Sequence, residues 1–168
     1  MANLLPDDEH NRKLRDLVGT NGLHAVKRER PYDLVAVGAG TAGLAAVWGA
    51  VALGASAALI EKNLMGGDCL VTGCVPSKAL LHAGMLAHEA RRAPEFGIEV
   101  PEVNVDFAAV MARMRETRAQ IGQDDSVAAF TARGVDVIGG SARFTGPQRI
   151  EVNGAAIRFK RAVVGTGG

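Results

Sequence analysis

The chain has 168 residues, of which 48% are hydrophobic and 22% charged, with a formal net charge of +1. That is enough for one domain with its own core, and the near-neutral balance gives no electrostatic footing for nucleic acid or an anionic membrane surface. Aromatic residues are only 4%, which argues against base-stacking platforms, while 21 glycines is nearly twice ordinary usage.

Residues 1–30 are polar, mixed in charge, and end in Lys27-Arg28-Glu29-Arg30. Acids come early and no apolar core run occurs, so this is no secretory signal and a cytoplasmic protein is expected. Leu4, Leu5, Leu14, Leu17 and Val18 can share one face of a short helix. The plainer expectation is an N-terminal extension lying on the surface or partly disordered. His10 and His24 have no partner pattern.

Tyr32-Asp33-Leu34-Val35-Ala36-Val37 is a short apolar run ending at a glycine, the pattern of a buried parallel strand. Gly38-Ala39-Gly40-Thr41-Ala42-Gly43 follows at once. Leu44 to Leu53 then predicts an alanine-rich helix stopped by Gly54, and Ala55 to Ile60 a second strand with Glu61 at its end. Because Ala42 to Ile60 is almost wholly apolar, a membrane span is the alternative; Gly49, Gly54 and the closing Glu61-Lys62 favour helix and buried strand, so no membrane span is expected. A strand–helix–strand unit of this size is the form a dinucleotide site takes.

In that unit Gly38 permits the tight turn, Gly40 lets a pyrophosphate approach the backbone, and Gly43 lets helix and strand pack closely. The pyrophosphate would meet free N–H groups at the helix N-terminus, around Thr41 and Ala42. Glu61 would accept from adenosine ribose hydroxyls and disfavour a 2′-phosphate. The glycine motif does not choose between FAD and NAD, and an ordinary tight turn is the bland alternative.

The two cysteines lie in Gly66-Gly67-Asp68-Cys69-Leu70-Val71-Thr72-Gly73-Cys74-Val75-Pro76-Ser77-Lys78. In a regular helix, residues five apart are roughly 8–9 Å apart at Cα, given a rise of about 1.5 Å per residue, whereas a disulfide needs about 4.4–6.8 Å. Cys69 and Cys74 can therefore bridge only if the helix is distorted between them. Gly73 and Val75-Pro76 tolerate such distortion, Gly66-Gly67 allow close approach of a cofactor, and helix N–H groups with Lys78 would lower a thiol pKa. Zinc would need four ligands, and His82 and His88 lie too far along the same helix. Two separate buried thiols remain an alternative; a thioredoxin-like pair would have two intervening residues instead of four. No metal site is expected.

Val75 to about Arg92 predicts a helix, with Leu80, Leu81, Met85, Leu86 and Ala90 at helical spacing and Pro76 in its first turn. Pro94 and Gly97 end it. Asp106 is expected to cap one long helix through about Arg133, with Phe107, Val110, Met114, Ile121, Val127 and Phe130 facing inward. Val135 to Ile138, Ala142 to Phe144, Arg149 to Val152, Ala156 to Phe159 and Arg161 to Val164 are short strands, with Asn153-Gly154 a hairpin turn. The last strand runs into Gly165-Thr166-Gly167-Gly168.

The run from Gly66 to Lys78 resembles the active-site signature of the class I pyridine nucleotide-disulfide oxidoreductases, the flavoenzymes that include dihydrolipoamide dehydrogenase, glutathione reductase and mercuric reductase. Val75 and the leader Leu5-Pro6-Asp7-Asp8-Glu9-His10-Asn11 are most similar to the mercuric-reductase-like branch. The resemblance spans Leu5 to Gly168. It implies an α/β fold: a Rossmann-type FAD-binding domain in three layers, with a parallel sheet and small antiparallel strands, incomplete relative to the family. Residues 31–168 would be the N-terminal part of that domain, preceding NAD(P)H and dimerisation domains, and residues 1–30 an extension.

By position, the resemblance implies that Cys69 attacks substrate, that Cys74 lies nearest the flavin, and that Lys78 tunes it. It also implies FAD contacts from Gly38, Gly40, Thr41, Ala42, Gly43, Glu61, Lys62, Gly67, Asp68, Cys69, Gly73, Cys74, Lys78, Ala142, Thr166 and Gly167. Gly140-Ser141-Ala142 resembles the segment at the adenine end, and Val163-Val164-Gly165-Thr166-Gly167 the second FAD motif, with Gly165 in place of alanine. Asp68 stands where many members have threonine. The implied function of the full-length enzyme is electron transfer from NAD(P)H through FAD to a Cys69–Cys74 disulfide, then to a small-molecule disulfide or metal-ion substrate, in a homodimer. These 168 residues alone are expected not to turn over. The rivals are a stand-alone FAD-binding module or inactive remnant, and a plain NAD-binding protein with inert cysteines.

Overall fold

The computed structural model describes residues 4–24, 28 and 30–167. Lys27, Glu29 and Gly168, part of two motifs named above, lie outside them. In order the elements are α1 (Glu9–Val18), β1 (Tyr32–Val37), α2 (Thr41–Ala52), β2 (Ala57–Glu61), α3 (Gly67–Val71), α4 (Cys74–Arg92), a 3-10 turn (Ala93–Phe96), α5 (Phe107–Ile121), α6 (Val127–Ala132), β3 (Val135–Gly139), β4 (Ala142–Gly146), β5 (Arg149–Val152) and β6 (Ala155–Val164).

The strands run in the order β3-β2-β1-β6-β5-β4. β3, β2, β1 and the end of β6 are parallel; β4, β5 and the start of β6 are antiparallel. The two short strands expected at Ala156–Phe159 and Arg161–Val164 are thus one ten-residue strand. Lys160, between them, is a charge that only an exposed stretch of strand tolerates, and it pairs with Asp33. Asn153 and Gly154 both have positive φ, 50° and 78°, as the two central residues of a tight hairpin turn require.

Three layers result. Ala36, Ala57, Leu59 and Val135 of the sheet pack with Leu14 and Val18 of α1, Val47 of α2 and Phe130 of α6. On the opposite face Val35, Ala58, Ile60 and Ile138 pack with Ile150, Val152, Ile157 and Phe159. Alternation along the strands sends successive side chains to opposite faces, so each parallel strand feeds both cores. Arg133 lies over the rings of Trp48 and Phe130, 4.9 and 5.2 Å from their centroids, tying α6 to α2.

The leader is not a surface-lying extension over its described residues. Leu14 and Val18 are fully buried, while Leu5, grouped with them above, is exposed. Asp8 caps α1 by accepting from the Asn11 N–H. After α1 the backbone joins the end of β2: the Met65 N–H donates to Val18 O at 2.9 Å and Thr20 Oγ1 donates to the carbonyls of Glu61 and Asn63. Leu14→Ala is accordingly expected to cost about 3 kcal/mol, in the range for truncating a buried leucine, measured by denaturant unfolding; a cost under about 0.5 kcal/mol would restore the surface reading.

The long helix expected from Asp106 to Arg133 is two. Asp106 does cap α5, accepting from the Ala109 N–H, but the chain turns at Gly122, and Ser126 starts α6 as a fresh cap. Two side chains expected inside, Phe107 and Ile121, are exposed. On α4, Leu81, Met85 and Leu86 are exposed as well. Among the described residues one run, Gly67–Phe96, contains an 18-residue stretch of mean hydropathy 1.3, long and apolar enough for a membrane crossing; the run is three helical pieces, interrupted at Thr72–Gly73, and α3 lies against the sheet cleft.

Candidate functional site

The site forms where β1, β2 and β6 end. Gly38 has φ 97°, and a Cβ there would stand 2.2 Å from the Gly165 carbonyl oxygen, so the β1 turn and the turn after β6 meet backbone to backbone. Gly43 is as constrained: a Cβ would lie 1.9 Å from Gly38 O. Gly67, with φ 56°, would press a Cβ to 2.8 Å from the Gly40 Cα. The glycine turn of α2 and the glycine pair before α3 are therefore stacked, and no side chain caps α2 at Gly40. The first-turn N–H groups of α2 and the positive end of its dipole are left to an incoming anion.

A cleft of about 230 Å³ opens over these turns, lined by Gly38, Gly40, Glu61, Asn63, Leu64, Gly67, Asp68, Val71 and Gly165 to Gly167. A second, of about 250 Å³, adjoins it through Gly38, Glu61 and Thr166 and reaches Lys62 and Gly140-Ser141-Ala142. Together they form a groove with backbone-lined walls at one end and Lys62 at the other. The Asn153 amide donates to Gly139 O at 2.8 Å and the Gly140 N–H to Glu61 O at 2.8 Å, which pins the far wall.

Glu61 sits between the two halves. Its Oε2 accepts from the Ala39 N–H at 2.8 Å and its Oε1 from the Asn63 N–H at 2.9 Å. The carboxylate thus braces the glycine turn from the end of the next strand, and each oxygen retains a lone pair for a ligand hydroxyl.

The cysteines stand on either side of a break in the helix. Cys69 is in α3 and Cys74 is the first residue of α4. Pro76 explains the break: it offers no N–H to Thr72 O, and its ring collides with the carbonyl four residues back. The chain instead turns at Gly73, where the N–H groups of Thr72 and Gly73 both reach Asp68 O, at 2.9 and 2.5 Å. A Cβ on Gly73 would stand 2.8 Å from that oxygen. Both thiols are free, Cys69 half-buried and Cys74 exposed. The Cys69 thiol is pushed up from its ordinary pKa by its contact with the Cys74 thiol, and further by burial, while Thr41 and the Cys74 N–H pull it down. The expectation of a lowered thiol pKa is therefore not met at Cys69. A neighbouring thiol that hydrogen-bonds with the protonated form, and repels once ionised, outweighs the helix end.

Of the residues singled out from sequence, Gly38, Gly40, Glu61, Gly67, Asp68, Thr166 and Gly167 share the first cleft, and Lys62 and Ala142 line the second. Thr41, Ala42 and Gly43 form the first turn of α2, with Thr41 reaching Cys69. Cys69, Gly73, Cys74 and Lys78 lie outside both clefts, with Cys74 and Lys78 exposed along α4. Asn63, Leu64 and Val71 line the cleft and were not foreseen. Their signal is positional: the first two follow the acid that ends β2, and Val71 lies between the cysteines. Among the described residues no group of three or more His, Cys, Asp or Glu gathers as a metal site.

A parallel sheet whose first turn is a glycine cradle, faced by an uncapped helix and braced by an acid from the next strand, defines a Rossmann-type dinucleotide-binding fold. Residues 32–168 match the family model for pyridine nucleotide-disulphide oxidoreductases, and the chain belongs to that family. It is 35% identical over 136 residues to a mercuric reductase of Bacillus cereus (81% of this chain, 22% of that protein). It is 31% identical over 162 residues to the mercuric reductase of Lysinibacillus sphaericus (95% and 30%). It is 35% identical over 147 residues to a dihydrolipoyl dehydrogenase of Vibrio cholerae (84% and 31%). The chain spans between about a fifth and a third of the length of these relatives.

Proposed function

We propose that this chain is the FAD-binding and dithiol-bearing part of an NAD(P)H-dependent flavin disulfide oxidoreductase. The observation that carries the reading is the joining of two features: a backbone-lined groove at the end of a parallel sheet, and two thiols in contact across a helix break beside its α2 end. The cradle fits FAD because a Cβ at Gly38, Gly43 or Gly67 would fill or deform it, because α2 offers uncapped N–H groups, and because Glu61 keeps acceptor capacity. When bound, FAD would take a hydride from NAD(P)H and supply two electrons to the disulfide.

In this reading the α2 turn would hold the pyrophosphate, Glu61 the adenosine ribose, and Lys62 with Gly140 to Ala142 the adenine end, while Asp68, Thr166 and Gly167 line the first cleft. Reduction of the Cys69–Cys74 disulfide takes two electrons and two protons. The Cys69 thiolate then attacks a substrate disulfide, one substrate thiol leaves with a proton, and the Cys74 thiolate displaces the second as the protein disulfide re-forms. Thr41 and the Cys74 N–H, both directed at the Cys69 sulfur, hold it during these steps. With a metal-ion substrate the same thiols would serve as ligands. Lys78, one turn along α4, supplies positive charge on the thiol side. A homodimer, NAD(P)H binding by other parts of the protein and a cytoplasmic setting belong to the same proposal.

The test is the purified native protein: a yellow, FAD-containing chain in which dithionite raises the number of titratable thiols by two supports the reading. A colourless protein whose two cysteines titrate unchanged before and after reduction overturns it.

A further inference from the structure

We propose that Arg118 is a positioning residue for the two thiols, acting through the Val71 carbonyl between them. The inference rests on the dithiol reading above. In an uninterrupted helix Val71 O would accept from the Val75 N–H. The break imposed by Pro76 removes that partner, and Arg118 replaces it: Nη1 donates to Val71 O at 2.6 Å. Nη2 donates to Asn11 Oδ1 at 2.5 Å, and Asn11 is itself fixed, its amide donating to Pro6 O at 2.8 Å and its N–H to Asp8. The leader, α5 and the cysteine segment are therefore joined at one buried guanidinium.

Core packing does not ask for this charge. Arg118 is only 7% exposed, and among the described residues its Nε has no partner and no carboxylate pairs with it directly; the nearby Asp8 is taken by Arg115. An apolar side chain of similar volume would fill the space without the desolvation cost of a guanidinium. What it could not supply is a donor for an orphaned carbonyl, together with positive charge at the C-terminal end of α3. Val71 is two residues from Cys69 and three from Cys74. Freeing its carbonyl loosens the segment that sets the Sγ–Sγ approach and lowers the effective concentration of each thiol at the other. The disulfide then becomes easier to reduce.

The experiment equilibrates the full native protein, wild type and R118M, in glutathione buffers and counts oxidised and reduced cysteines by alkylation. In oxidation the two thiols lose two electrons and two protons, which convert glutathione disulfide to two glutathione thiols as the Cys69–Cys74 bond forms. The expected result is a shift of the equilibrium at least tenfold toward the dithiol in R118M, about 30 mV for a two-electron couple. A role confined to stability would lower the melting temperature and leave the ratio unchanged. An R118M protein that bridges at the wild-type ratio overturns the inference. If R118M does not accumulate folded, N11A, which frees the guanidinium from its anchor, carries the same test: a shift in the same direction supports the inference, and an unchanged ratio overturns it. A wild-type protein whose cysteines never bridge overturns the dithiol reading and this inference with it, so the two failures are told apart.

Discussion

Adding one methyl group at residue 43 is expected to abolish flavin binding and to destabilise the domain by about 3 kcal/mol, the upper end for forcing an atom into a filled site. The Cβ of Gly43→Ala would sit 1.9 Å from Gly38 O and 3.4 Å from the Leu59 side chain. The first of these is backbone, held in turn against Gly165, so it cannot swing aside as a side chain would. Relief must come from tilting α2 off the sheet, which moves its N–H groups from the cleft. The same helix supplies the control. Gly49 is exposed, and a Cβ there meets nothing within 4 Å, so Gly49→Ala should stabilise by roughly 0.5–1 kcal/mol from helix propensity alone and leave flavin content untouched. Thermal unfolding and the flavin-to-protein absorbance ratio read both variants. A G43A protein that unfolds like G49A and keeps its flavin contradicts the close packing of the β1 turn against α2.

Cys74→Ser in the full native protein is expected to remove the long-wavelength absorbance that a thiolate beside a flavin gives in the two-electron-reduced state, and to cut turnover of a disulfide substrate by at least about a thousandfold, as losing a nucleophile does. Cys69→Ser should also stop turnover while keeping that absorbance. Stopped-flow spectra of the two variants separate the roles. If the band survives in C74S and vanishes in C69S, the assignments are reversed and the exposed thiol of α4 is the one that meets substrate. The comparison is informative because the free thiols are so alike in distance along the chain and so unlike in setting: Cys69 touches Thr41 and is half-buried, while Cys74 is open at the head of α4.

The strand–helix–strand unit and its glycines were legible because their signals are local. Tyr32 to Val37 is an apolar run stopped by glycine, and the acid ending β2 follows within one supersecondary unit. The Cα spacing calls for a distortion between the cysteines only if they bridge, and Gly73 with Val75-Pro76 reads as tolerating one; the break itself is seen in the structure, where Cys69 lies in α3 and Cys74 begins α4. What was not legible depends on contacts distant in sequence. Arg118 reads as one more charge on α5, and only the fold brings it to Asn11 and Val71. The apolar face of α1, Leu14, Leu17 and Val18, is legible as helical spacing, but the sequence does not say that it is buried; only the fold places it against α5 and the sheet. Gly122 and Ser126 are ordinary inside a helical pattern until the turn toward β3 makes them a stop and a cap. The raised pKa of Cys69 depends on the neighbouring Cys74 thiol, a contact that helix-end effects read from sequence do not contain.

On the proposed reading of the groove, Glu61 would tie cofactor choice to folding. Its two oxygens are already engaged by the Ala39 and Asn63 N–H groups, so the residue that would favour an unphosphorylated ribose is also the clasp between the first turn and the second strand. A chain drifting toward a 2′-phosphorylated nucleotide at this groove would have to give up the acid, and with it the partners of two backbone donors, at about 1–3 kcal/mol for each one left unpaired in the interior. If the proposed ribose contact holds, ligand preference at this position would not wander one substitution at a time; it would change in step with a second alteration that takes over the clasp.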